Sequence, residues 1–246
     1  MSDRPANAFL RNLPSAAFEA LQERLQPVEL KIGDVLYQSD DRVEWIYLPL
    51  TCLLSVLTTA ENGDTVETAM VGNEGALGVL DALGSGRAGA MCIVQIPGRA
   101  LRLSAMDLRT QALANEDLAR AAWTLIELQL AESRQSGMCF ALHSVDHRLA
   151  RWLMESSERV GGASTLPLTQ EFLAAMLGVQ RTTVTAFASQ LQKAGLIKYA
   201  RGKVEIVDPE ALDARTCECR GAVREHRRRL RLDPLPIAPA AVRLVR

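Results

Sequence analysis

No run of apolar residues approaches the roughly 20 needed to cross a bilayer, which excludes a transmembrane helix. The opening residues, MSDRPANAFL, mix acid and base and lack the apolar stretch of a secretion signal. A cytoplasmic protein with no membrane partner is expected. Cysteine is sparse, with five residues at 52, 92, 139, 217 and 219. The odd count and the absence of framework spacing argue against a secreted disulfide scaffold. No four-cysteine run offers a zinc or iron–sulfur motif. Cys217-Glu218-Cys219 is the one close pair, and it supplies two thiolates with no evident further ligands. Ordinary thiols are therefore expected there, with no metal and no other cofactor. Aromatics are few, at 4% of 246 residues, yet 48% hydrophobic and 23% charged residues make a globular composition. That excludes disorder throughout.

An excess of charge of one sign is also missing, the net being -1, but that sum hides a split. Residues 1–160 hold 14 basic and 21 acidic side chains, and residues 161–246 hold 14 and 8. A basic C-terminal third points to a polyanionic partner.

Leu10, Leu13, Phe18, Leu21 and Leu25 recur at helical spacing over residues 5–26, with Pro14 opening a new turn. Between about 28 and 104, short Val-, Ile-, Leu- and Thr-rich runs stop at turn residues every 8–12 positions. They are Ile32–Tyr37, Trp45–Leu48, Cys52–Thr58, Thr65–Val71, Met91–Ile96 and Ala100–Leu103. Many short strands with regular turns imply a small sandwich or barrel. Residues 105–160 contain no proline and have long-helix composition. Leu118, Ala122, Leu125 and Leu128 share a broad face, with Leu118 and Leu125 one heptad apart. That face either packs on the sandwich or pairs with a second copy. Gly137 is a candidate break, with a second helix over His143–Arg159.

Residues 166–207 carry the most specific pattern. Thr169 is a candidate N-cap before Phe172, Leu173, Met176 and Leu177. Gly178-Val179 makes a tight turn, and a second helix from about Gln180 to Lys193 would bury Val184, Phe187, Ala188 and Leu191. Leu196–Tyr199 and Val204–Val207 flank Ala200-Arg201-Gly202-Lys203 as a hairpin. Helix, turn, helix and wing in this order predict a winged helix-turn-helix. The second helix would enter the major groove by its N-terminus, turning Gln180, Arg181, Thr182 and Thr185 to base edges. Arg201 and Lys203 on the wing, with Thr169 and Gln170 at the first helix's start, would reach phosphates.

The stretch LTQEFLAAMLGVQRTTVTAFASQLQKAGLIKYARGKVEI resembles the winged helix of the Crp/Fnr transcription regulators. IGDVLYQSDDRVEWIYLPLTCLLSVLTT resembles their cyclic-nucleotide-binding-like jelly roll, and HSVDHRLARWLM the segment joining their dimer helix to the DNA domain. The likeness spans roughly residues 8–225. It implies an α+β chain divided as 1–104 N-terminal β jelly-roll sensor, 105–137 long dimerisation helix, 138–225 C-terminal winged helix-turn-helix and 226–246 basic tail. It also implies a homodimer on a palindromic operator in double-stranded DNA, with RNA polymerase a further candidate partner. Leu118, Ala122, Leu125 and Leu128 would be its dimer contacts.

By that resemblance Arg181 falls on the base-reading arginine and Thr183 on a phosphate-contacting position. Thr182 replaces the usual glutamate and Ala186 a second basic residue, so the best-known family operator is not expected. The cyclic-nucleotide signature is altered as well. Gly72, Glu74 and Arg87 are the candidate effector residues, but Glu74 sits in a shifted frame and Ala88 supplies no hydroxyl beside Arg87. An effector other than cAMP is expected, its identity open. Two rival readings remain. His143-Ser-Val-Asp146-His147 has the spacing of a zinc-enzyme helix without a third ligand, and no enzyme is expected. A signalling module acting on a protein partner is the other. The RRRLRL stretch and the tail beyond it are expected to be loose and to touch phosphate nonspecifically.

Overall fold

The computed structural model describes residues 4–237. Two short helices, α1 (Ala8–Asn12) and α2 (Ser15–Gln22), open the chain, separated at Pro14. Seven strands and one short helix follow: β1 (Gln26–Leu30), β2 (Val35–Tyr37), β3 (Trp45–Pro49), β4 (Leu53–Thr59), β5 (Thr65–Val71), α3 (Val79–Leu83), β6 (Met91–Ile96) and β7 (Gly98–Ser104). They form two antiparallel sheets, ordered β1-β7-β3 and β2-β6-β4-β5. The helices α4 (Ala105–Ala114), α5 (Glu116–Leu142) and α6 (Val145–Arg159) come next. Then follow β8 (Thr165–Leu166), α7 (Gln170–Leu177), α8 (Arg181–Lys193), β9 (Ile197–Ala200), β10 (Lys203–Ile206), α9 (Pro209–Asp213) and α10 (Cys219–Leu230). The architecture is the expected α+β jelly roll, long helix and winged helix-turn-helix.

The region expected to be one helix from 105 is two, because Asn115 leaves the helical conformation and caps α5 through its side chain, which accepts from the Leu118 N–H. Gly137 does not break α5. The helix runs on to Leu142 and stops at His143-Ser144. A helical glycine costs only about 1 kcal/mol, too little to end a helix of this length.

Leu118, Ala122, Leu125 and Leu128 are each at most 2% exposed and belong to the sandwich core with Leu48, Leu54 and Leu103. They cannot also be the dimer seam expected of them. A helix lying on a sandwich must bury an apolar stripe there, and the sandwich uses this one. A second stripe is left outside, with Trp123 63% and Leu130 48% exposed.

The outer face of the four-stranded sheet does not meet solvent throughout. Leu53, Leu57, Met70 and Ile96 share a second core with Trp152 and Leu153 of α6, and with Leu173 and Leu177 of α7. The joint has a polar centre at Glu67 of β5. Its carboxylate accepts from the Ser55 hydroxyl and, at 2.8 Å, from the indole N–H of Trp152. Burial pushes the Glu67 carboxyl up to about 7, more than the two hydrogen bonds and the Arg159 charge pull it down.

A raised carboxyl favours the folded state only while it is protonated. Its contribution is therefore complete below the unfolded value of 4.5 and is lost as pH rises through about 7. Unfolding by urea at a series of pH values should show stability falling by up to about 3 kcal/mol between about pH 5 and 8. Glu67→Gln mimics the protonated acid and should flatten that slope. An unchanged slope in the variant would remove Glu67 as its source.

Candidate nucleic-acid interface

The helix-turn-helix follows from local chemistry. Thr169 caps α7, its hydroxyl accepting from the Phe172 N–H at 3.2 Å. Gly178 ends α7 at φ +61, in the left-handed region where a side chain is disfavoured. That reversal turns the chain into Gln180, which holds the N-cap position of α8 without a side-chain capping bond, and Val184, Ala188 and Leu191 then face inward. Phe187 is half-buried. The sheet β8-β10-β9 closes behind the helices, and Arg201 (φ +50) and Gly202 (φ +71) form its two-residue wing turn. Ala200 and Lys203 pair directly across that turn.

Gln180, Arg181, Thr182 and Thr185 are all exposed at the start of α8, and Thr183 is half-buried beside them. Arg201 and Lys203 are exposed at the wing. Thr169 and Gln170 lie at the start of α7, but each is already engaged. Thr169 acts as the cap, and the Gln170 side-chain oxygen accepts from the Thr185 hydroxyl at 2.8 Å. Arg181 pairs with Glu171 at 2.6 Å, both side chains being exposed. An exposed pair of this kind is worth only about 0–1 kcal/mol, so it does not lock the arginine away from another anion.

Of the candidate effector residues, Gly72 and Glu74 lie together in the interior, whereas Arg87 lies on the surface. Glu74 is 2% exposed and belongs to a buried ion network. Its Oε1 accepts from the backbone N–H of Gly72 at 3.0 Å and from Arg159 Nε at 2.8 Å. The Arg159 guanidinium also donates to Glu155 at 3.0 Å and to both oxygens of Glu132 at 2.8 Å. Gly72 belongs here for a steric reason, since a Cβ on it would lie 2.4 Å from Arg159 Cβ. Arg87 is exposed, and it donates to the Asp40 carbonyl at 2.7 Å. The cavity beside the network, bounded by Glu67, Glu132, Arg151, Trp152, Glu155 and Arg159, holds about 40 Å3. That is space for a few waters rather than a nucleotide.

Sequence reasoning missed two further features. The RRRLRL stretch is not loose up to residue 237. Arg227 sits at 0% exposure in α10, donating to Glu132 at 2.7 Å, and Leu232 is buried. Leu235 and Asn73 exchange two hydrogen bonds, at 2.7 and 2.9 Å. The tail beyond 237 lies outside the described residues. The pair Cys217 and Cys219 also has neighbours after all, Cys139 and His143 from the end of α5. The spacing of those two, i and i+4 on a helix, was the available signal. His147 is outside that group, its Nδ1 lying 3.2 Å from the Ser144 hydroxyl.

Residues 147–215 match the Crp-like helix-turn-helix domain. The chain is 22% identical over 213 residues to the CRP-like cAMP-activated global transcriptional regulator of Mycobacterium tuberculosis, a match covering 84% of this chain and 95% of that one. Two solved structures share the fold. A Crp/Fnr-family regulator from Eubacterium rectale aligns with TM-score 0.65 at 18% identity, covering 83% of this chain and 95% of its own. FixK2 from Bradyrhizobium japonicum aligns with TM-score 0.66 at 17% identity, covering 78% and 98%. The relative and the family whose fold the chain shares are transcription regulators. The matched segment makes the C-terminal part of the chain a Crp-like helix-turn-helix domain, and over most of its length the chain is similar to Crp/Fnr-family regulators. No helix among the described residues is long and apolar enough to cross a membrane.

Proposed function

We propose that this regulator is a cytoplasmic homodimer that reads a palindromic operator through α8 and answers to a signal other than cAMP. The observation that carries the DNA reading is the exposed start of α8. Gln180, Arg181, Thr182 and Thr185 stand there on a capped, glycine-turned scaffold, with the basic wing alongside. Arg181 takes the base-reading role, because a guanidinium can donate two hydrogen bonds to guanine O6 and N7. Thr183, Arg201 and Lys203 hold phosphates and set the register. Thr169 and Gln170 position the helix pair and reach phosphate only by exchanging present partners. RNA polymerase is the partner expected of such a regulator on DNA.

Arg181→Ala should weaken binding to the cognate operator by about 1–3 kcal/mol per half-site at fixed salt. Its affinity for unrelated DNA should fall far less. Equal losses on both DNAs would show that Arg181 contacts phosphate only.

The dimer seam is assigned to the second stripe of α5. Trp123, Leu130 and Gly137 recur every seven residues and are exposed, flanked by Arg120, Glu127 and Arg134. A two-fold pair of such helices matches the symmetry of a palindrome. Trp123→Glu should give a folded monomer in sedimentation. Leu125→Glu, placing a charge in the sandwich core, should instead unfold the chain. A folded monomeric Leu125→Glu together with a dimeric Trp123→Glu would return the seam to the sandwich-facing stripe.

Against cAMP stand the small cavity, the capture of Glu74 by Arg159 and the outward position of Arg87. Calorimetry should detect no binding of cAMP or cGMP, and a micromolar constant for either would refute this part of the reading.

A further inference from the structure

The sulfur of Cys139 lies 3.5 Å from that of Cys217, and the sulfur of Cys219 lies 3.3 Å from Nδ1 of His143. All four ligand atoms fall within 4.8 Å of one another. The three cysteines are buried and the imidazole is half-buried. A tetrahedral zinc ion with Zn–S bonds of about 2.3 Å spaces its sulfurs by about 3.8 Å, so the group needs only small adjustments to close on one ion. An iron–sulfur cluster inserts several atoms between its ligands and needs a wider opening than this.

Two further observations point to a cation. The other imidazole nitrogen, Nε2, lies 3.1 Å from the Glu218 carboxylate. That leaves Nδ1 facing the sulfurs with its lone pair, the carboxylate–histidine arrangement that orients and strengthens a metal-bound imidazole. Three thiolates and one zinc ion leave a net charge of -1, which calls for a nearby cation. Arg148 lines one cavity with Cys139, donates to the Leu177 carbonyl at 3.1 Å and makes no ion pair with a carboxylate among the described residues. Its guanidinium rests over the Phe140 ring, and its Nε is buried without a hydrogen-bond partner.

We infer that Cys139, His143, Cys217 and Cys219 form a closed tetrahedral zinc(II) site that fastens both ends of the DNA-binding module to α5. Cys139 and His143 stand just before α6, where the module begins, and Cys217 and Cys219 stand just after α9, where it ends. One ion thus closes a loop containing α6, the helix-turn-helix and the wing. Four protein ligands fill its coordination, so the role is structural. Ligand thiols must lose their protons to bind, and oxidation of any of them would release the ion.

The test uses the full chain purified under reducing conditions. Elemental analysis should find about one zinc per chain. The metal-free protein, titrated with cobalt(II) alone, should develop thiolate-to-cobalt charge transfer and the visible bands of tetrahedral cobalt, and zinc should displace them. Cys217→Ser and Cys219→Ser should lose those bands, whereas Cys52→Ala, altered in the distant sandwich, should keep them. Should the serine variants fail to fold, Glu218→Gln keeps the idea testable. That side chain is 75% exposed, and its change should weaken cobalt binding roughly 10–100-fold with the fold intact. A reduced wild type that gives no tetrahedral cobalt spectrum, or one isolated with a Cys139–Cys217 disulfide and no metal, overturns the site. Its effect on operator affinity rests on the DNA-binding reading. Cobalt spectra and metal content do not, so the two can fail separately.

Discussion

Arg159 enters the interior at the end of α6 and meets three carboxylates from three parts of the chain. Glu74 comes from the turn after β5, Glu132 from the long helix and Glu155 from its own helix. Arg227 of α10 shares Glu132, and Arg151 shares Glu155. Three acids and three arginines thus close a nearly dry cluster in which the charges balance. Taking such groups out of water is costly, and only this degree of pairing makes it tolerable. Removing one partner would strand a buried charge at a cost of about 3–5 kcal/mol. The arrangement is therefore demanding as well as stabilising. It permits few relative positions of the sandwich, α5, α6 and the C-terminal helix. Burial alone would raise Glu155, yet Arg151, Arg159 and Arg227 hold it at about 2, so this carboxylate stays charged down to strongly acid pH.

The same cluster bears on the proposal that the signal is not cAMP. In this chain Glu74 is turned inward, and Gly72 leaves room for the backbone to press against Arg159. Glu74 is buried with its Oε1 held by the guanidinium at 2.8 Å, so it does not face an open ligand site in this arrangement. The position that could have read an effector ties the sandwich to α6 instead.

The legible parts of the sequence were those fixed by neighbours along the chain. The apolar spacing of Leu173, Met176 and Leu177, the glycine at 178 and the wing turn are local requirements, and each is met where expected. The strand runs were readable for the same reason, except β1, where Gln26-Pro27 looks unlike a strand start. What was not legible depends on distant partners. The stripe through Leu118 and Leu125 reads the same whether the sandwich or a second copy covers it. Arg227 sits in a run that resembles a solvated basic tail, and only Glu132, 95 residues away, draws it inside. Cys139 and Cys217 are 78 residues apart, so the fourfold thiol–imidazole group exists only after folding.

The long helix is where these constraints meet. Leu118, Leu125, Glu132 and Cys139 recur every seven residues and are all buried, so one stripe of α5 passes from the sandwich core to the ion network and then to the thiols. Each residue advances a helix by about 100°, which places Trp123, Leu130 and Gly137 on a stripe about 140° away. The first stripe fixes the helix to the rest of its own chain, and the second is free for a partner. Because both belong to one rigid element, a change that rotates or shifts α5 against the network would also change how the partner helix of the proposed dimer sits on the other side. The module held at Cys139 and His143 would move with it. In the proposed dimer, the spacing of two recognition helices on an operator would thus be tied mechanically to the ion pairs around Arg159.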